Sequence, residues 1–411
     1  MPKPRPQARK TTKAKKSDTL SQRTLTDLSI SIEDAPILLQ QLVLDIFASR
    51  LAARPATEHE TTLTLKEQVQ TIKSYLFNRD FSSAFTDANS DMLRAYALRW
   101  SAGRALAYTG IFEAVLRLRS SDNLAWPPGL AGYPPVGVEG IRNKHILCIG
   151  GGAGAEVVAL AAAIRWAVGL DDPAGSSLNL SVTALDVADW QPVIDGLLQG
   201  CTSESLHIKN PGFQLPLLKP GDLAVSFQKE DVLALSEEQL SRLVSPPTKE
   251  VTNLYGGGGV EPQRPKTVLI TLMFTLNELF STSLSDTVAM LLRLTDITKP
   301  GAVLLVVDSP GSYSTLSLGS KGARSQGEAS SGDSVTSSTE EEKRPERKYP
   351  MRFLLDHTLL TTAIGCWECF ISEESRWFRR DRTGLVYNVG ENIGLEDMRY
   401  QVHAYRRTAA P

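Results

Sequence analysis

The chain is poor in cysteine, with four in 411 residues, and poor in histidine, with five. Four thiols in a chain of this length do not make a disulfide framework, so a reducing compartment is the expected setting. Cys366 and Cys369 have the C-x-x-C spacing of half a zinc site. Only Cys201 and scattered histidines could complete it, so no metal is expected and alternation along a strand explains the pair. Also missing is any run near the ~20 apolar residues of a membrane span, and the N-terminus lacks the apolar stretch of a secretory signal. A soluble intracellular protein with no membrane partner is therefore expected. The net charge is only −2, which gives no chain-wide attraction to nucleic acid. No DNA partner is expected, and any other polyanion must be held by local basic patches. What is abundant is apolar content, 42%, enough for a substantial core in one large domain or two.

The run Ile146-Leu147-Cys148-Ile149-Gly150-Gly151-Gly152-Ala153-Gly154-Ala155-Glu156 reads as a buried strand that breaks into a glycine loop and enters an alanine-rich helix. The first N–H groups of such a helix lack intrahelical partners and can bind a carboxylate or phosphate. Glycines at 150, 152 and 154 give G-x-G-x-G, the form usual in S-adenosylmethionine sites. The dinucleotide fingerprint wants its third glycine one place later, where Ala155 is tolerated, so NAD stays open. Ser181 to Asp186 supplies a second strand ending in an acid that can bind ribose hydroxyls, with Val187 following. A third strand from Leu223 leads to Asp231 and Val232, an acid and an aliphatic residue placed to contact adenine. A tight βα turn in an unrelated protein, and an exposed acidic loop, are the plainer readings of these two features.

Residues 1–32 are rich in Pro, Lys, Ser and Thr and are expected to be a disordered tail. Lys3, Arg5, Arg9, Lys10, Lys13, Lys15 and Lys16 precede its first acid, which fits a nuclear or nucleolar address or an RNA-gripping arm as well as an inert solvated tail. Residues 33–125 carry helical periodicity throughout, and 126–140 form a proline- and glycine-rich linker. In 141–411 strands are predicted near 145–149, 181–186, 223–228, 267–272 and 302–307 with helices between most of them, the order of a doubly wound parallel sheet. Residues 245–265 read as a surface insertion, and 311–348 as a longer disordered one. A helix over 352–364 and strands over 366–378 and 399–406 complete an α/β, Rossmann-like domain with a closing antiparallel hairpin.

In such a sheet the reacting groups gather beyond the carboxyl ends of the strands. The fourth strand delivers Phe274, Asn277 and Glu278 there. The carboxamide could bind a pyrimidine edge, the carboxylate could take an imino proton, and the ring could face a sulfonium or a target base. The plainer reading makes Asn277 and Glu278 helix-start residues and Phe274 core. On the helix before the linker, Arg104 could pair with a cofactor carboxylate or merely snorkel. Near the C-terminus, Arg376, Trp377, Arg379, Arg380, Arg399 and Tyr400 interleave arginine with aromatics, a pattern that can pair phosphates and stack on bases, or form a solvated hairpin face.

Taken together, residues 99–108, the glycine loop at 150–156, Phe274 to Leu279, Trp377-Phe378-Arg379 and Asp397-Met398-Arg399-Tyr400 resemble the fungal 25S ribosomal RNA uridine-N3 methyltransferases over residues 66–407. That resemblance implies a Rossmann-like fold, S-adenosylmethionine as methyl donor, and N3-methylation of one uridine in large-subunit ribosomal RNA during ribosome biogenesis, with 25S ribosomal RNA or a pre-ribosomal particle as partner. Two other functions stay open: a methyltransferase acting on a protein or small molecule, and a non-catalytic RNA-binding assembly factor.

Overall fold

Runs of aliphatic residues suit strands covered on both faces, and each predicted run forms one. In the computed structural model, which describes residues 31–52, 63–117, 141–167, 178–203, 216–246, 265–310, 315–317, 348–390 and 393–409, these are β1 (Lys144–Ile149), β2 (Leu180–Asp186), β3 (Leu223–Lys229), β4 (Lys266–Met273) and β5 (Val303–Asp308). Two short strands, β6 (Thr315–Ser317) and β7 (Lys348–Pro350), pair with each other apart from the main sheet. The chain ends in a hairpin of β8 (Trp367–Phe378) and β9 (Met398–Arg407). Almost all of the basic tail, the linker at 126–140, most of the 245–265 insertion and the interior of 311–348 lie outside the described residues.

The sheet order is β3-β2-β1-β4-β5-β9-β8. The first five strands are parallel, and β9 and β8 are each antiparallel to the strand before them in that order. The order reverses between β1 and β4, so the connections diverge and a crevice opens at the carboxyl ends of those two strands. His145 fixes their amino ends, its ring nitrogens 2.6 Å from Thr267 Oγ1 and 2.9 Å from Thr183 Oγ1. Burial holds its pKa down to about 4, so it is neutral.

One face of the sheet is covered by α1 (Ile37–Phe47), α4 (Ala102–Arg117), α5 (Ala155–Ala167) and α6 (Gln191–Thr202). The small residues of α4 and α5 let them lie close together, with Ala105, Ala159, Ala161, Ala162 and Ala163 fully buried. Leu39, Ile46 and Phe112 share one core with Val157, Leu197 and the strands, so the N-terminal helices are part of the wall of the sheet. α2 (Leu65–Phe77) starts at a capping box of Thr64 and Glu67. α3 (Ser90–Tyr96) runs through a π-helical turn, Ala97–Ser101, into α4. The other face carries α7 (Glu237–Val244), α8 (Leu276–Thr282), α9 (Leu284–Ile297) and α10 (Met351–Asp356).

Candidate active site

β1 ends at Ile149 and the chain turns at Gly150, whose φ of +76° is left-handed and whose N–H donates to Leu185 O at 2.8 Å. A side chain there would be strained and would collide with Thr275. Gly152 N–H donates to Asp186 Oδ2 at 3.1 Å, and Asp186 Oδ1 accepts from Ala188 N–H at 3.2 Å. Asp186 therefore ties the loop to the end of β2. Gly150, Ala153 and Asp186 line the crevice, whereas Gly152 and Gly154 do not. The reason is packing: a Cβ on Gly152 would strike the buried Trp190, and one on Gly154 would strike Leu197. These glycines fit the loop against the protein itself rather than opening it to a ligand.

The crevice is a cleft of about 290 Å³. At one end, Val187, Asp231, Val232 and Leu279 form a slot with apolar sides and an exposed carboxylate. Glu230 N–H donates to Asp186 O at 2.9 Å and draws the end of β3 toward it. At the other end stand Tyr96, Arg104, Phe274 and Glu278. The Arg104 guanidinium lies 4.6 Å from the Phe274 ring centroid and donates to Tyr96 Oη at 2.7 Å. No carboxylate among the described residues reaches ion-pair distance of it. Phe274 is held at φ +59°, an uncommon backbone for an aromatic residue and a mark of a site whose surroundings force its geometry.

Asn277 is not at the cleft surface, contrary to its predicted place beside the reacting groups. Its main-chain N–H donates to Asp308 Oδ2 at 2.9 Å and its carboxamide to Asp308 Oδ1 at 2.8 Å. Buried Asp308, at the end of β5, thus caps the first turn of α8, and Asn277 clasps it. That clasp places Glu278 in the cleft wall. Burial, then the nearby Asp186 and Asp308, raise the Glu278 pKa to about 8 against the opposing pull of Arg104. Burial likewise raises Asp186 and Asp308, although hydrogen bonds to both oppose it. Beneath the loop, Glu156 is almost fully buried, accepts from Thr271 Oγ1, and is pushed up to about 8, again by burial first. Several acids coexist in this small volume because some of them can hold protons.

A family model described as a SAM-dependent methyltransferase matches residues 47–406. The chain belongs to the SAM-dependent methyltransferases. Its cofactor is S-adenosylmethionine. Among curated proteins it is similar to the 25S rRNA (uridine(2843)-N(3))-methyltransferase of Saccharomyces cerevisiae, 27% identical over 401 residues, covering 92% of this chain and 88% of the relative. Solved structures with partial likeness include a SAM-dependent methyltransferase from Methanosarcina mazei (14% identity, 69% of this chain and 99% of that one, TM-score 0.30). Another is the DhpI-SAH complex (12% identity, 84% and 97%, TM-score 0.29). The fold assignment rests on this chain's own sheet order rather than on those scores.

The cleft of this methyltransferase fits such a cofactor on its own chemistry. Arg104 offers a cation that has no carboxylate partner among the described residues, Asp186 an acceptor for ribose hydroxyls, and the Val187–Asp231–Val232 slot a place for adenine. Tyr96, Asp308 and Glu156 were not anticipated from the sequence. Tyr96 lies two helical turns before Arg104, and Asp308 ends an aliphatic strand just as Asp186 does, so each carried a signal.

The hairpin of the methyltransferase brings its arginines to the same edge. β8 runs parallel to β5, so Trp377, paired with Arg399, and Gln401, paired with Asp308, lie at the cleft side of the sheet. Trp377 is 49% exposed. The Arg379 guanidinium lies 4.1 Å from its ring centroid and donates to Asp397 Oδ2 at 3.0 Å, while Arg399 approaches the ring at 5.9 Å. Two predicted contacts depart from this surface. Tyr400 is only 2% exposed, because β9 is an interior strand and alternation turns this ring into the helix-covered core. Arg376 is bound to Glu373 at 2.8 Å and to Ile32 O at 3.0 Å. Arg380 is half-buried, and its main-chain N–H joins Asp397 Oδ1 at 3.3 Å.

Proposed function

We propose that this methyltransferase modifies N3 of a uridine in large-subunit (25S) ribosomal RNA, during ribosome biogenesis in the nucleolus. What supports the reading most is the yeast relative, whose name specifies that reaction and whose likeness spans 92% of the chain. S-adenosylmethionine, when bound, supplies an electrophilic methyl group on a positively charged sulfur. Asp186 accepts from the ribose hydroxyls, Asp231 and the Val232 main chain meet the adenine edge, and Arg104 pairs with the carboxylate. Glu278 accepts the imino proton that uridine must lose for N3 to become nucleophilic.

N3 lies on the Watson–Crick edge, so the base must enter unpaired or flipped. Trp377, Arg379 and Arg399 supply a stacking face and phosphate partners for the flanking strand. In-line transfer needs no covalent enzyme intermediate, so positioning and exclusion of water carry much of the work. The basic cluster between Lys3 and Lys16 is the proposed nucleolar address.

Mass-spectrometric mapping of modified nucleosides in ribosomal RNA from a strain lacking the gene tests this. One N3-methyluridine should be missing, wild-type protein should restore it, and Glu278→Gln should not. An unchanged N3-methyluridine content in the deletion strain would overturn the proposal.

A further inference from the structure

Asp308, Asp186 and Arg104, the charged groups that act on Glu278 most strongly, are already engaged, and Glu278 is not. Asp308, from β5, accepts from Asn277 twice and from Ser309 N–H at 2.7 Å. Asp186, from β2, accepts the Gly152 and Ala188 amides. Arg104, from α4, is turned onto the Tyr96 phenol and the Phe274 ring. Glu230 and Asp231 line the cleft beyond the end of β3. The Glu278 carboxyl lines the cleft as well, yet among the described residues it has no hydrogen-bond or ion-pair partner. It faces a space that will hold a cation whenever the cofactor is bound.

We propose that Glu278 is a base armed by the charge of the cofactor: it carries a proton in the free enzyme, releases it to solvent as the sulfonium-bearing cofactor enters, and takes the substrate's imino proton during transfer. The inference rests on the reading of Glu278 as proton acceptor given above. Its physical cause is the partly water-excluded, acid-rich wall that raises Glu278 to about 8, which a positive charge placed alongside reverses. The transfer step balances. The N3 proton passes to the Glu278 carboxylate, the N3 electron pair forms the bond to the methyl carbon, and the carbon–sulfur bond breaks with its pair left on sulfur. One positive and one negative charge vanish together, leaving neutral N3-methyluridine, a neutral thioether and protonated Glu278. The acquired proton stays on Glu278 until the next cofactor arrives.

Isothermal titration of the full-length protein near neutral pH, in two buffers of different ionisation enthalpy, counts the protons. S-adenosylmethionine should release close to one proton per site, since a single group titrating about one unit above the working pH is mostly protonated beforehand. S-adenosylhomocysteine, whose sulfur is uncharged, should release close to none. Glu278→Gln should lose the release with S-adenosylmethionine, and its binding of S-adenosylhomocysteine shows the cleft intact. A second measurement needs no variant: the wild-type preference for S-adenosylmethionine over S-adenosylhomocysteine should climb with pH, by at most about tenfold per unit, and level off above about pH 8. Equal proton counts for the two ligands, a flat preference across pH, or undiminished release in Glu278→Gln overturns the arming. Loss of turnover in Glu278→Gln without any proton release would sink the arming and keep the base. Wild-type turnover in that variant would remove the base reading itself, and the arming with it.

Discussion

The two ends of the cleft are built differently. Around the glycine loop, β1, the loop, α5 and β2 follow one another in the chain and hold one another directly, through Gly150 N–H to Leu185 O and Gly152 N–H to Asp186. Around Glu278, Tyr96 comes from α3, Arg104 from α4, Phe274 from the end of β4 and Asp308 from the end of β5, brought together only by the finished fold. The first half is a matter of shape, where a single Cβ decides. The second is a matter of charge, where acids and one arginine set each other's protonation. Shape changes should therefore damage binding and folding together, and charge changes should separate binding from turnover.

The sharpest separation comes from Glu278→Gln. It should lower kcat by about 10³-fold, as expected for loss of a proton acceptor, while lowering S-adenosylmethionine affinity near neutral pH by only about tenfold and leaving S-adenosylhomocysteine affinity nearly unchanged. Single-turnover kinetics alongside calorimetry would show it, and parallel losses of both would break the distinction drawn here. Gly152→Val is the counterpart in the other half. Its side chain must displace Trp190 and Asp186, so unfolding experiments should show a loss of about 3 kcal/mol together with loss of cofactor binding. Asp186→Ala removes one charged acceptor and should weaken the cofactor by roughly ten- to a hundredfold in calorimetry.

At the hairpin, Arg379→Glu with Arg399→Glu should weaken RNA by about tenfold or more and flatten its salt dependence, leaving cofactor affinity intact. RNA binding by the double variant equal to wild type would remove this edge from the interface. The smallest effect concerns Glu156. Its folded pKa, about 8, is raised above the unfolded value, so its contribution to stability is full below the ordinary carboxylate range and is lost as pH rises through about 8. The melting temperature of the wild type should fall from about pH 4.5 to about pH 8 and level off above that, and Glu156→Gln should fall less.

The sequence exposed the shape half more fully than the charge half. The aliphatic runs ending at Ile149, Leu185 and Met273 set strand positions, and the spacing of Gly150, Gly152 and Gly154 marked the loop, because those signals are written in consecutive residues. The same spacing could not say that Gly152 faces Trp190, which lies beyond β2. Asn277 and Glu278 are neighbours on one short helix, and only the arrival of Asp308 decides that one clasps a buried acid while the other meets the cleft. The hairpin shows the same limit. Arg399 and Tyr400 are adjacent, but β9 lies between two strands, so alternation exposes the first and buries the second. Nothing in the local sequence around Arg376 announces its partner Ile32, which stands at the far end of the chain.

Between β8 and β9, the described residues 379–390 and 393–397 lie across the N-terminal helices. On the way Gln41 bonds the Val386 main chain at 2.9 and 2.8 Å, Tyr387 Oη donates to Leu98 O at 2.8 Å, and Arg99 pairs with Glu396. This strap makes the helix bearing Arg104 and the edge bearing Trp377 mechanically one piece. A pull on the hairpin would therefore be carried through these bonds to the turn that feeds Arg104.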